Sequence, residues 1–326
     1  MQVVQLQLNP EEKIGFVSDL HLDSLQPPSR IDDLLQTTLD KVEDILNKCK
    51  ERNVRALFWE GDIVNRVGIP FAPVNAFMEL LIKFRDAGIQ NFAICGNHDI
   101  MRNSMDYLDR SPVQTLFASG LMKHINLENR VIINKSVMIT PVDYTEYPPV
   151  ADSNATYNLL LCHMFVNASE FMSDEKHNLR TEDILQLGYD VIIAGHDHAK
   201  YPTMKIGKSL IYRHGSVLRG TAHDYNFERE PCFLVFNDLS NICESTIEEV
   251  IIEHKPYQDI ASNYVLNKKQ VGSISGLKDL LSNLAEKLSM SSDSDGDRIL
   301  EIIKTDPELP NESRLQLLNY ITEQSS

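Results

Sequence analysis

Three short apolar runs near the start of the chain, each ending in side chains that bind metals or move protons, limit this protein to a narrow set of folds. Lys13 to Ser18 runs into Asp19-Leu20-His21, Val54 to Trp59 into Glu60-Gly61-Asp62, and Asn91 to Cys95 into Gly96-Asn97-His98-Asp99. Between them lie two helical patterns. Ile31, Leu34, Leu35, Leu39, Val42, Ile45 and Leu46 predict a helix over about 30–50, with Ser29 as N-cap and Asp32 as its N3 partner. Pro73 near a first turn opens a second helix with Val74, Phe77, Met78, Leu81 and Ile82 on one face, and Gly88 closes it. Strand, helix, strand, helix, strand in this order pairs in parallel through right-handed crossovers, so the three polar clusters share one edge of one sheet.

The middle of the chain has more strands and fewer helices. Val3 to Leu8 alternates as an edge strand, and Arg130 to Asn134 with Val137 to Pro141 predicts a hairpin through Lys135-Ser136. Asn158 to Cys162 ends at His163, and after a helix near Thr181 to Leu187, Asp190 to Ala194 ends in Gly195-His196-Asp197-His198. Ser209 to Tyr212, Cys232 to Phe236 and Thr246 to Ile252 are further strands. The expected class is α/β (α+β): a two-sheet β-sandwich flanked by helices, the second sheet mostly antiparallel.

Past residue 257 the sequence turns polar and helical, which divides the chain into a domain over 1–257 and a helical region over 258–326. Leu277, Leu280, Leu281, Leu284 and Leu288 make an amphipathic stripe, with shorter ones at Ile299 to Ile303 and Leu315 to Ile321. Asp293 to Asp297 lacks the spacing of a calcium loop and is a solvated helix entry.

Cys49, Cys95, Cys162, Cys232 and Cys243 are scattered without paired spacing, as expected of core thiols in a reducing compartment. With no apolar leader and no run approaching the ~20 residues that span a bilayer, the expected location is cytoplasmic, without membrane attachment. The formal charge of -16 argues against a broadly basic nucleic-acid wrapper.

Five strand ends thus offer Asp19 and His21, Asp62, Asn97 and His98, His163, and His196 and His198. A lone His163 on an apolar strand would more often be a satisfied core residue; its company makes it a ligand candidate. Imidazole, carboxylate and amide together suit Mn, Fe or Zn rather than Mg or Ca, and Asp62 has two oxygens with which to bridge a pair of ions. Two adjacent ions can clamp the attacking and leaving oxygens of a phosphoryl displacement.

These five ordered blocks resemble the signature of the calcineurin-like metallophosphoesterases. The resemblance implies two divalent ions, manganese the first choice, with Asp19, His21, Asp62 and His198 on one and Asp62, Asn97, His163 and His196 on the other. It makes His98 the residue that protonates the leaving oxygen or steadies the phosphate, in keeping with imidazole's ease of proton exchange near neutrality. Asp99 either orients a histidine or caps the segment that follows.

Leu210 to Arg219, Glu230 to Phe236 and Glu253 to Tyr257 are similar to the closing region of SbcD-type nucleases, so the resemblance covers about 13–257. It implies a DNA exonuclease or endonuclease of recombination, repair and replication, partnered by an SbcC-like coiled-coil ATPase, with a homodimer left open. His214 departs from the usual proline, and Asn65 from the histidine or aspartate common three residues after the Asp62 position. The region after 257 is also short for a DNA cap plus partner-binding helices. Lys200, Lys205, Lys208, Arg213 and Arg219 form an acid-free stretch that, with Arg102, is a candidate DNA contact or else a solvated basic hairpin. A stand-alone phosphodiesterase or phosphatase for nucleotides or phosphoproteins, and a non-catalytic scaffold, stay open beside the nuclease.

Overall fold

A computed structural model describes residues 2–152, 154–166, 177–221 and 225–262. The leucine and isoleucine stripes expected between 277 and 321 lie outside the described residues, as does nearly all of the region expected over 258–326. The chain opens with β1 (Gln2–Leu6) and β2 (Lys13–Val17), then alternates α1 (Leu34–Glu51), β3 (Val54–Trp59), α2 (Phe71–Asp86) and β4 (Gln90–Ala93). Helix α3 (Pro112–Ala118) leads to β5 (Lys123–His124), β6 (Asn129–Ile133), β7 (Val137–Val142) and β8 (Tyr157–His163). Short β9 (Phe165–Val166) and β10 (Asn178–Leu179) precede α4 (Thr181–Leu187) and β11 (Val191–Gly195). Strands β12 (Met204–Ile206), β13 (Ser209–Tyr212), β14 (Cys232–Phe236) and β15 (Ile247–Ile251) follow.

Two large sheets result, ordered β15-β14-β2-β3-β4-β5 and β1-β6-β7-β8-β11-β13-β12, and β9 and β10 pair separately. Period-two alternation makes the layers. Ala56 and Phe58 of β3 join Phe16, Phe92, Leu159, Leu161, Val191 and Ile193 in a core between the sheets. Their neighbours Leu57 and Trp59 turn to the opposite face, packing with Val42, Ile45, Phe77 and Phe84 of α1 and α2. On the far side of the second sheet, Leu160, Cys162 and Ile192 pack on Ile184 and Leu187 of α4. Phe58 stacks between Phe16 and Phe92 at centroid distances of 5.2 and 5.0 Å, so three parallel strands are locked in register at the centre. Each such ring contributes roughly 1.5–3 kcal/mol by leaving water. Among the described residues no helix is long and apolar enough to cross a membrane.

Three expectations are corrected. The second sheet is mostly parallel: β7, β8, β11 and β13 pair in parallel, and only the β6/β7 and β12/β13 hairpins run antiparallel. The connections between its central strands are long enough to return the chain to the same end, one of them through α4. The strands at Cys232 and Ile247 belong instead to the first sheet, where β14 lies antiparallel to β2. Helix α1 is capped by Asp33, which accepts the Gln36 N–H at 3.0 Å. Ser29 is engaged with the Gly220 carbonyl and Asp32 with Arg30, so neither is available to cap.

Candidate metal centre

Strands β2, β3 and β4 are parallel neighbours in one sheet, β8 and β11 in the other, and all five end on the same side of the sandwich. The chain leaves the pleat abruptly there. Asp19, His21, Asp62 and His196 all have positive φ, at 40°, 47°, 48° and 89°. For residues with a Cβ this conformation costs of order 1–3 kcal/mol each, a cost that collects where side chains must be aimed. Gly61 and Gly96 make the close approach: a Cβ on Gly96 would sit 2.1 Å from Asp62 Oδ1, and one on Gly61 2.6 Å from the Gly96 nitrogen.

Asp62 stands at the middle. Its Oδ2 is 3.5 Å from His21 Nε2 and 3.2 Å from His163 Nε2, and its Oδ1 accepts the His98 N–H at 2.9 Å. His21 Nε2 and His198 Nε2 are 2.8 Å apart, and His163 Nε2 is 3.2 Å from Asn97 Oδ1. His163 Nδ1 donates to the Glu60 carbonyl at 2.7 Å, which leaves Nε2 to face the cluster. One ligand atom from each of Asp19, His21, Asp62 and His198 falls within a 4.8 Å span, and so does one from each of Asp62, His163 and His196. Two donor sets sharing one carboxylate fit a pair of ions. Nitrogen and oxygen ligands at about 2.0–2.2 Å from one ion stand about 3.0–3.4 Å apart, close to the separations around Asp62.

The electrostatics ask for cations. Burial opposes the charge on Asp62, but His163 and His21 hold its carboxyl well below the usual range. Burial likewise opposes the charge on His163, yet Asp62 and Asp19 push it up to about 10, while burial takes His21 and His196 down to about 3. Of these three only His163 therefore carries a second ring proton at neutral pH, and a metal must displace it from Nε2. Metal uptake should release about one proton, with affinity rising as pH rises through the neutral range. Calorimetric titration in buffers of different ionisation enthalpy measures this; no proton release would remove His163 from the ligand set.

His98 stands apart from both donor sets. Its Nδ1 donates to the Asn65 carbonyl at 2.6 Å, and its ring meets His21 edge-on at 4.9 Å. Asn65, the departure noted in the sequence, therefore acts through its backbone, and its side chain donates to Asp23, which also binds Arg66. Among the described residues Asp99 makes no hydrogen bond to a histidine. Its carboxylate accepts the N–H groups of Val64 and Gly96 at 3.0 and 2.9 Å and clamps two site loops together. Burial and the Asp62 charge push its pKa up to about 7. Sequence reasoning missed Glu60, fully buried behind His163 and 3.3 Å from His214 Nε2, because a glutamate beside Gly61 looks like loop composition.

The basic stretch is less available than its sequence suggests. Arg213 is buried, lies over the Tyr201 ring at 4.1 Å and donates to the Val166 carbonyl. Arg219 is buried and donates to the Lys255 carbonyl. Lys200 pairs with Glu249 and Lys208 with Asp190, acids that come from other parts of the chain; Lys205 is exposed. Arg102 is exposed and shares the Tyr107 ring with Arg110, at 5.8 and 5.2 Å.

The family model described as calcineurin-like phosphoesterase matches residues 12–200. No curated protein sequence matches the chain. Similar solved structures include a Thermus thermophilus protein at TM-score 0.44 and 10% identity, covering 74% of this chain and 99% of that one. A putative 5'-nucleotidase from Staphylococcus aureus aligns at TM-score 0.45 and 14% identity, over 75% of this chain and 55% of its own. A dimetal phosphatase from Danio rerio aligns at TM-score 0.48 and 11% identity, over 75% of this chain and 100% of its own. Similarity at this level says nothing of substrate.

Proposed function

The chain belongs to the calcineurin-like phosphoesterase family, and from that premise we propose that it is the nuclease subunit of an SbcCD-like complex, hydrolysing DNA phosphodiesters. Asp19, His21, Asp62 and His198 hold one divalent ion, and Asp62, Asn97, His163 and His196 the other. Bound there, the ions supply Lewis acidity to the phosphoryl group. The protein's own contribution is positional. The Glu60 carbonyl fixes the His163 tautomer, Asp99 fixes the loops that carry Asp62 and Asn97, and the Asn65 carbonyl holds His98 Nδ1–H so that Nε2 faces substrate. As the bond from phosphorus to the leaving oxygen breaks, the His98 Nε2 proton passes to that oxygen, while the oxygen of water bonds to phosphorus and water's proton is released to solvent, from which His98 is reprotonated.

The observation that carries DNA over a small ester is the pair of exposed arginines, Arg102 and Arg110, around the half-buried Tyr107 ring, a cluster that begins four residues after His98 in sequence. Cations around an accessible ring suit a single strand, whose phosphates they neutralise and whose bases stack. The neutralised and buried basic stretch favours the second reading, a phosphatase or phosphodiesterase of small esters, because it removes most of the polyanion surface expected from sequence. One experiment separates the two. With Mn supplied, Arg102→Ala combined with Arg110→Ala should lower cleavage of a single-stranded oligonucleotide about tenfold and flatten its salt dependence. Hydrolysis of p-nitrophenyl phosphate should stay unchanged. Equal activity of variant and parent on DNA, with small esters the better substrate, would favour the second reading. The region after 257 is proposed to dock the coiled-coil ATPase through its leucine stripe, in the helix-in-groove manner.

A further inference from the structure

Away from the dinuclear cluster, Cys95, His124 and Asp143 bring a sulfur, a nitrogen and a carboxylate oxygen within 4.8 Å of one another. They come from three segments. Cys95 lies just past the end of β4, His124 ends β5, and Asp143 follows β7 in the other sheet. Cys95 Sγ is 3.7 Å from His124 Nε2, which is 3.2 and 3.0 Å from the two Asp143 oxygens. One ring nitrogen therefore faces both a thiol and a carboxylate, although it has either one proton or one lone pair to offer. An ion pair between His124 and Asp143 accounts for the oxygen contact and leaves the sulfur contact without a role.

A cation between the three accounts for all of it. Tetrahedral zinc, with bonds of about 2.3 Å to sulfur and 2.0–2.1 Å to nitrogen and oxygen, sets sulfur and nitrogen about 3.6 Å apart and nitrogen and oxygen about 3.3 Å apart. The separations of 3.7 and 3.0–3.2 Å agree before any side chain moves. Cys95 and Asp143 are buried, and the Asp143 carboxylate is already anchored by the Cys95 N–H at 2.6 Å. His124 is held flat against Phe117 at 4.9 Å and is partly exposed, which gives the ion an entry path and water a fourth position. Glu146 adds negative charge beside the set.

We propose that Cys95, His124 and Asp143 form a zinc site separate from the dinuclear centre, a clasp joining the two sheets behind the Gly96-Asn97-His98 loop. A thiolate, an imidazole and a carboxylate select zinc over the harder ions, and binding displaces the thiol proton to solvent. The dinuclear cluster contains no sulfur, so a thiolate signal that depends on Cys95 belongs to the clasp. Loading the full chain with Co(II) should give near-ultraviolet thiolate-to-cobalt absorption and three bound equivalents. Cys95→Ser should abolish the absorption and remove one of the three equivalents. Should that variant not fold, His124→Asn, changed at the partly exposed ligand, must show the same loss of one equivalent. Cobalt bound at two equivalents without thiolate absorption, or absorption that survives Cys95→Ser in a folded protein or persists at three equivalents in His124→Asn, overturns the site.

Discussion

Asp62→Asn should lower Mn-dependent phosphodiester hydrolysis by about three orders of magnitude or more and reduce bound Mn from two ions to one or none. Asn is nearly the same shape, and its amide oxygen can still accept the His98 N–H that Asp62 Oδ1 accepts at 2.9 Å. What it loses is the charge, in the only residue common to both donor sets. Without that carboxylate a pair of ions held there would lose the one negative charge that both donor sets share. Metal content by mass spectrometry and hydrolysis of a chromogenic diester are read on the same sample. Full activity with both metals retained would dismiss the dinuclear assignment.

His98→Ala separates chemistry from ligation. The residue is outside both donor sets, so the variant should keep both ions of the dinuclear centre and lose about two or more orders of magnitude in rate, the usual scale of proton transfer or electrostatic help. The loss should shrink for esters whose leaving oxygen is a weak base and needs no proton. Loss of metal instead would mean that His98 is a ligand.

The five strand ends were legible because each is a local event: a run of apolar residues, then a sharp change to ligand types. What was not legible depends on partners far away in sequence. The strands at Cys232 and Ile247 look the same on either sheet, and only pairing with β2 decides their place. Lys200 and Lys208 lie in an acid-free stretch, yet Glu249 and Asp190 reach them in space. Asp99 sits among ligands and serves backbone amides. Cys95 sits in a core-like run, and nothing local links it to His124 or Asp143.

His21 and His198 touch across 177 residues of chain. During synthesis, at about 5–20 residues per second, roughly 10–35 s pass between the first histidine and the last. Asp19, His21 and Asp62 leave the ribosome early, and β2, β3 and β4 can pair soon afterwards. A metal captured at that stage finds an incomplete set, so the nascent chain cannot become a hydrolase until the strand β11 has docked. Strand β14 arrives later still, so the β2 edge it covers stays unpaired through the same interval, a period in which a chaperone or a second nascent chain can reach it.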